Sequence, residues 1–283
     1  MILLLACTGQ NPDVDDTQLF YDGEPGLFRL SFEHDAVTRE SIVVVPTTYE
    51  VGGPLLLNFH GFGGSGADHY EWTGMAELAE AEGFILALPT GTELDGSPHW
   101  NAALDSPDNK SEADDLGFAR KLVETVEASY GIDRERVYAV GYSNGGMFSF
   151  ALACYASDLV AAVGAVSGTM LTDEDCEPTH PTSVVTLHGT ADDVLPYGGD
   201  EGSMPQEDIV EYWAGFNATT ESSQDREGDI ARFDRTDGEG GAAVRHYKVE
   251  GGQHVWFELD YEGRDTNTLI WEFFDAFDRS GAR

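Results

Sequence analysis

The chain has 283 residues, 41% of them hydrophobic, enough to bury one substantial core, and 52 Asp plus Glu against 15 Lys plus Arg give a formal net charge of -37. That composition cannot supply a basic face, which excludes a nucleic-acid partner. Lys110, Lys121 and Lys248 are the only lysines, and this scarcity together with the charge points to a saline, halophilic setting.

The first residues, Met1-Ile2-Leu3-Leu4-Leu5-Ala6-Cys7, are apolar but too short to span a bilayer. Leu4-Leu5-Ala6-Cys7 resembles the lipobox at which bacterial lipoproteins are cut and acylated, so a lipid anchor through Cys7 is expected. No basic region precedes it, which implies that the recorded start lies inside a longer leader. Residues 8–16 read as a polar tether and residues 17–283 as one folded domain. The expected location is outside the cell, as a secreted or cell-surface lipoprotein of a bacterium. Without Cys7, Cys154 and Cys176 remain as an even pair in a compartment where disulfides persist; bonded, they would close a loop of about 23 residues, worth roughly 3 kcal/mol.

Short apolar runs predict strands at Ser41 to Val45, Leu55 to Phe59, Phe84 to Leu88, Arg136 to Val140, Ala161 to Val166 and Val184 to His188. Helical spacing falls between them. Met75, Leu78 and Ala79 form one stripe ended by Gly83, and Ala119, Leu122, Val123, Val126 and Tyr130 form another ended by Gly131. Leu269, Ile270, Phe273, Phe274 and Phe277 mark a last helix. The alternation predicts an α/β fold with a doubly wound, mostly parallel sheet.

Gly141-Tyr142-Ser143-Asn144-Gly145 joins the Arg136 to Val140 strand to a helix carrying Met147, Phe148, Ala151 and Leu152. A serine on so tight a turn stands proud of the sheet, and flanking glycines leave room for the close approach of strand and helix. This is the pattern of a nucleophile elbow, with Ser143 as nucleophile. His60-Gly61-Phe62-Gly63-Gly64-Ser65-Gly66 follows the Leu55 to Phe59 strand and can present backbone N–H groups to an oxyanion; by the usual arrangement of α/β hydrolases the donors are Phe62 and Asn144. The loop lacks the Gly-Lys-Ser/Thr ending of a phosphate loop. In the chain order serine, acid, histidine, only His246 and His254 follow every candidate acid. His254 sits in a turn after the strand Ala243 to Val249 and can reach the elbow, whereas His246 lies inside that strand. Asp192 and Asp193 both follow Val184 to His188, and spacing does not separate them.

The segments Leu57-Asn58-Phe59-His60-Gly61-Phe62-Gly63-Gly64, Asp114-Asp115-Leu116-Gly117-Phe118, Arg136 to Met147, His188-Gly189-Thr190-Ala191-Asp192 and Gly251-Gly252-Gln253-His254-Val255-Trp256 occur in this order. Together they resemble the polyhydroxybutyrate depolymerase and feruloyl esterase group of α/β hydrolases, over about residues 25 to 278. The resemblance implies that Asp192 is the acid and that Asp193 stands where the group usually has proline. It also supports a Cys154 to Cys176 bridge. Gln253 replaces a usual glycine and Phe257 a usual proline, both expected at the rim of the site.

About sixteen residues separate the strands ending at Val166 and starting at Val184, so no large lid domain is expected and the site should admit bulky or polymeric esters. Tyr142, Trp100, Trp256 and Tyr197 are candidates for an aromatic substrate platform. The expected function is an exported serine carboxylic ester hydrolase of the feruloyl esterase or polyhydroxybutyrate depolymerase kind. Aromatic polyester hydrolysis, as of polyethylene terephthalate, and acetyl xylan esterase activity are the alternatives. A peptidase is disfavoured, and a non-catalytic surface-anchored binding protein is the reading from another class. No cofactor and no metal are expected, since the acidic stretches at Asp13 to Asp16 and Asp173 to Glu177 lack a complete calcium loop. The protein is expected to act as a monomer.

The charge carries a direct prediction. The Debye length falls from about 30 Å at 0.01 M to roughly 10 Å at 0.1 M, so salt should relieve carboxylate repulsion and raise both the melting temperature and the activity, mostly below about 1 M. Melting in sodium chloride from near zero to about 2 M checks this; a flat or falling Tm would contradict saline adaptation.

Overall fold

The computed structural model describes residues 3–4, 24–104, 109–172 and 176–283. Cys7, the 8–16 tether and most of Asp173 to Glu177 lie outside the described residues. In chain order the elements are β1 (Leu3–Leu4), β2 (Gly26–His34), β3 (Val37–Val45), β4 (Leu55–Phe59), α1 (Gly66–Thr73), α2 (Met75–Glu82), β5 (Ile85–Pro89) and the small hairpin β6 (Thr92–Leu94) and β7 (Ser97–His99). There follow α3 (Asp115–Tyr130), β8 (Val137–Tyr142), α4 (Asn144–Tyr155), β9 (Ala162–Val166), β10 (Ser183–Gly189), α5 (Gln206–Phe216), β11 (Glu221–Glu227), β12 (Ile230–Thr236), β13 (Val244–Val249), α6 (Thr266–Phe274), β14 (Phe277–Asp278) and β15 (Gly281–Ala282).

One sheet runs β1-β2-β3-β5-β4-β8-β9-β10-β13-β12-β11. Its centre, from β5 to β13, is parallel, and the strands outside that run pair antiparallel. The central strands are buried on both faces, which is why they read as unbroken apolar runs. Alternate residues enter opposite cores: Val137 and Ala139 of β8 face α3, α4 and α5, while Tyr138 and Val140 face α2 and α6. From β4 the chain goes to β5 on one side and then, through α3, to β8 on the other. Ligands of open α/β sheets bind beyond the carboxyl ends of the strands at such a reversal, here β4 and β8.

Two helices end at the glycines that the sequence marks. Gly83 and Gly131 take left-handed conformations (φ 77° and 64°) and return N–H bonds to Ala79 and Glu127 carbonyls. Asp114 caps α3 by accepting from the Gly117 N–H at 2.8 Å.

Several elements differ from the sequence reading. The hairpin strand β11, Glu-Ser-Ser-Gln-Asp-Arg-Glu, is exposed throughout and has no apolar periodicity to betray it. Strand β2 is only partly buried, so it lacks an apolar run. Phe277 lies beyond α6, which ends at Phe274, and belongs to β14. Phe257 is not at the rim but buried in the core with α6.

Cys154 and Cys176 are disulfide-bonded, Cα to Cα 4.7 Å, tying α4 to the segment before β10. Replacing both with serine should cost about 3 kcal/mol and lower Tm by about 5 °C or more. Calorimetry of the double variant checks this, and an unchanged Tm would show that the bridge does not restrain the unfolded chain.

Candidate active site

Ser143 forms the junction of β8 and α4 with φ 53° and ψ -119°, a positive φ on a residue that has a side chain. The junction closes because its neighbours are bare. A Cβ on Gly141 would stand 2.3 Å from the Gly145 carbonyl carbon, and one on Gly145 would stand 2.2 Å from the Phe59 carbonyl oxygen. The serine N–H bonds the Val166 carbonyl at 3.0 Å, and its hydroxyl makes no capping bond to the helix.

The hydroxyl turns instead to the loop after β13. Ser143 Oγ lies 2.8 Å from His254 Nε2, and His254 Nδ1 lies 2.8 Å from Asp192 Oδ2. A carboxylate only accepts, so Nδ1 carries the proton and Nε2 offers its lone pair to the serine hydroxyl. The loops bearing Asp192 and His254 are held backbone to backbone. Ala191 N–H bonds the Gly252 carbonyl at 2.9 Å, and a Cβ on Gly189 would come within 2.1 Å of that carbonyl oxygen. Tyr142 Oη–H and Ser167 Oγ–H donate to the carbonyls of His254 and Val255, at 2.9 and 2.8 Å.

Asp192 is buried, and Asp193 is exposed and takes no part in the constellation. Asp192 Oδ1 accepts from the N–H groups of Val194 (2.9 Å) and Leu195 (2.8 Å), while His188 Nε2 approaches Oδ2 at 3.2 Å. Burial acts to raise its pKa, but bonds from His188, His254 and the two N–H groups outweigh that and hold the carboxyl well below the usual carboxylate range.

The loop after β4 lies directly on the serine: a Cβ on Gly61 would be 2.7 Å from the Tyr142 ring and 3.3 Å from Ser143 Cβ. Among the described residues no acceptor bonds the N–H of Phe62 or of Asn144. Asn144 opens α4, so the positive end of that helix also faces the site. His60 braces the loop, donating from Nδ1 to the Gly61 carbonyl at 2.7 Å and accepting at Nε2 from the Gly91 N–H at 3.0 Å. Burial lowers its pKa to about 4, which keeps it neutral.

The aromatic candidates separate. Tyr142 stands beside the constellation, its ring 5.1 Å from that of His254. Trp100 does not line the site. It is 1% exposed, stacked on Phe148 at 5.2 Å, with its indole N–H bonded to the His60 carbonyl. Trp256 is also buried, edge-on to His69 at 5.5 Å and bonded to Asn267. Tyr197 lies behind the acid, its hydroxyl 2.9 Å from His246 Nε2 and its ring edge-on to His188. Trp100 and Trp256 are thus enclosed with their indole N–H groups bonded, which removes them from a substrate surface, while Tyr197, partly exposed, turns its hydroxyl to His246 and not to Ser143. His246 itself is fully enclosed between Tyr197 and Thr186.

Trp72 is the aromatic residue that the sequence reading missed. On α1, half exposed, it meets Tyr142 edge to face at 4.8 Å. Helix α1 has no continuous apolar stripe, so nothing in the pattern singled it out. A separate group, His34, Asp35 and Asp114, brings possible metal-ligand atoms within 4.8 Å of one another near the start of α3, apart from this constellation.

Comparison with known proteins agrees with the fold. Feruloyl esterase B of Piromyces equi is 28% identical over 256 residues, covering 84% of this chain and 45% of that protein. A bifunctional acetylxylan esterase/xylanase of Neocallimastix patriciarum is 26% identical over 245 residues, 86% of this chain and 34% of that one. The chain thus spans less than half the length of these curated relatives. The solved acetyl xylan esterase from Aspergillus awamori superposes with a TM-score of 0.64 at 15% identity, covering 84% of this chain and 94% of that one. The phospholipase/carboxylesterase family pattern matches residues 43–214, through the β4 loop, the elbow and the Asp192 turn. The chain belongs to the phospholipase/carboxylesterase family of α/β hydrolases.

Proposed function

We propose that this protein is an exported serine carboxylic ester hydrolase acting through an acyl-enzyme, with residues 17–283 as its catalytic domain. The observation that carries the reading is the unbroken hydrogen-bonded run from Ser143 Oγ through His254 to Asp192, 2.8 Å at each step. Ser143 Oγ attacks the ester carbonyl carbon while His254 Nε2 takes its proton. The carbonyl oxygen gains negative charge and accepts from the N–H groups of Phe62 and Asn144. Collapse of the tetrahedral adduct breaks the bond to the alcohol, which leaves with the proton from His254. Water then repeats the sequence on the acyl-serine and releases the acid. Asp192, held ionised, keeps the imidazole in the tautomer this needs and stabilises it when charged. One chain supplies all these groups, so a monomer suffices.

Export is supported by the Cys154–Cys176 disulfide, since such bonds persist in oxidising compartments. The lipid anchor at Cys7 remains part of the proposal.

The substrate reading rests on the rim. Phe62, Trp72, Val194 and Val255 are exposed large hydrophobic residues, and each lies on a loop of the constellation or against Tyr142. Such a rim favours a bulky, apolar acyl group, with Trp72 and Tyr142 as the wall against an aromatic one. A feruloyl ester of a polysaccharide fits best, and the names of the relatives, feruloyl esterase and acetylxylan esterase, support an ester on a plant polysaccharide.

Ser143→Ala should abolish ester hydrolysis with the melting temperature preserved; residual activity above a few per cent of wild type would misplace the nucleophile. Asp192→Asn should lower turnover about 10⁴-fold, with Asp193→Asn nearly neutral, as measured with p-nitrophenyl esters. The reverse order would assign the acid to Asp193.

Release assays on feruloylated arabinoxylan, acetylated xylan, polyhydroxybutyrate and polyethylene terephthalate test the substrate class. Ferulate release should dominate, and Trp72→Ala should cut it about tenfold while leaving small acetate esters nearly unaffected. Equal losses on both would remove Trp72 from the acyl site.

A further inference from the structure

Trp100 and its neighbours hold together the two chain segments that supply the oxyanion donors. The Asn144 side chain pairs with the Trp100 backbone twice: Trp100 N–H donates to Asn144 Oδ1 at 2.8 Å, and Asn144 Nδ2 donates to the Trp100 carbonyl at 2.9 Å. The indole N–H of the same residue donates to the His60 carbonyl at 3.0 Å, and Gly63 N–H donates to the Pro98 carbonyl at 2.7 Å. One residue is therefore bonded both to the residue whose N–H forms one side of the oxyanion hole and to the loop whose Phe62 N–H forms the other.

Trp100 is itself held from below. Its ring stacks on Phe148 and meets Phe59 edge to face at 5.1 Å. The next residue, Asn101, donates its N–H to Asp115 Oδ2 at 2.8 Å, while Arg39 Nη2 donates to Asp115 Oδ1 at 2.7 Å. Both side chains of that ion pair are almost wholly enclosed, at 2% and 0% exposure. Both carboxylate oxygens of that buried pair are thus in use, one of them on the Asn101 N–H beside Trp100.

We propose that Trp100, braced by Asp115, is a positioning residue that sets the separation and aim of the Phe62 and Asn144 N–H groups; this rests on the ester-hydrolase reading. Donors of an oxyanion hole act only if fixed before the charge develops, and the two here come from different crossings of the sheet. The N–H to His60 carbonyl bond is the link that fastens one to the other.

Trp100→Phe keeps an aromatic ring in the core and removes that link. Turnover is measured per Ser143 titrated with a fluorophosphonate, so that any unfolded fraction drops out, and inhibition by a boronic acid is compared with binding of the product acid. The variant should lose about 10- to 100-fold in kcat, with KM within about twofold and the boronate weakened in parallel with kcat while the product acid is not. A kcat per titrated site within about twofold of wild type, or equal weakening of boronate and product, would overturn the proposal. Wild-type protein that neither takes the fluorophosphonate at Ser143 nor cleaves esters would overturn the ester-hydrolase reading and this proposal together.

Discussion

The backbone at Ser143 is the constraint on which the site depends. A non-glycine residue at φ 53° costs on the order of 1–3 kcal/mol, and it persists only where the surroundings leave no alternative. Here β4 and β8 enforce it. The carbonyls of Phe59 and His60 pass where a Cβ on Gly145 would stand, so the start of α4 packs directly on β4, and Gly141 leaves room for the first turn of that helix. The serine side chain is thereby pushed out above the sheet, the helix N-terminus is aimed at the same point, and the β4 loop is laid alongside. One local geometry thus lifts the serine side chain, aims the Asn144 N–H beside it and seats the loop that carries the Phe62 N–H.

Charge is arranged around that geometry with opposite treatment of acid and bases. Despite its burial, Asp192 is held well below the usual carboxylate range by bonds from His254 and the N–H groups of Val194 and Leu195, with His188 at 3.2 Å. His60, His69 and His246 are driven the other way by desolvation, to about 4, 3 and 3, and so stay neutral over the range in which imidazoles ordinarily titrate. They serve as fixed donors and acceptors within the packing. His254 differs from them in place: it sits on the loop after β13, pinned at its carbonyl and at Val255, partly exposed, with its two nitrogens bonded to Asp192 and Ser143.

What could be read from the sequence follows from how local each feature is. The elbow, the β4 loop and the helix-ending glycines are legible because a strained or left-handed backbone restricts residue type within a few positions. The parallel strands are legible because burial on both faces leaves an unbroken apolar run. Asp192 and Asp193 have the same neighbours in sequence, and only the fold, which turns one inward onto His254 and the other to water, separates them. The aromatic platform was least legible. Trp100, Trp256 and Tyr197 sit near the motifs in sequence, but the exposure of a large ring is decided by what packs on it from elsewhere, and their polar tips are satisfied inside. Trp72 lies on a helix without a marked apolar stripe, and its position against Tyr142 exists only in three dimensions. The exposed polar hairpin strand β11 has no apolar signature to read.

In the mechanism proposed above, Ser143 carries the acyl group in the course of reaction. Mixing the protein with p-nitrophenyl acetate, quenching in acid within the first turnovers and weighing the peptide that contains Ser143 measures this directly. The expected result is a gain of one acetyl group on that peptide, placed on Ser143 by fragmentation, together with an initial burst of p-nitrophenol equal to the enzyme present. Release of p-nitrophenol with the peptide unmodified at all times, or an acetyl group on another residue that turns over at the catalytic rate, would contradict it.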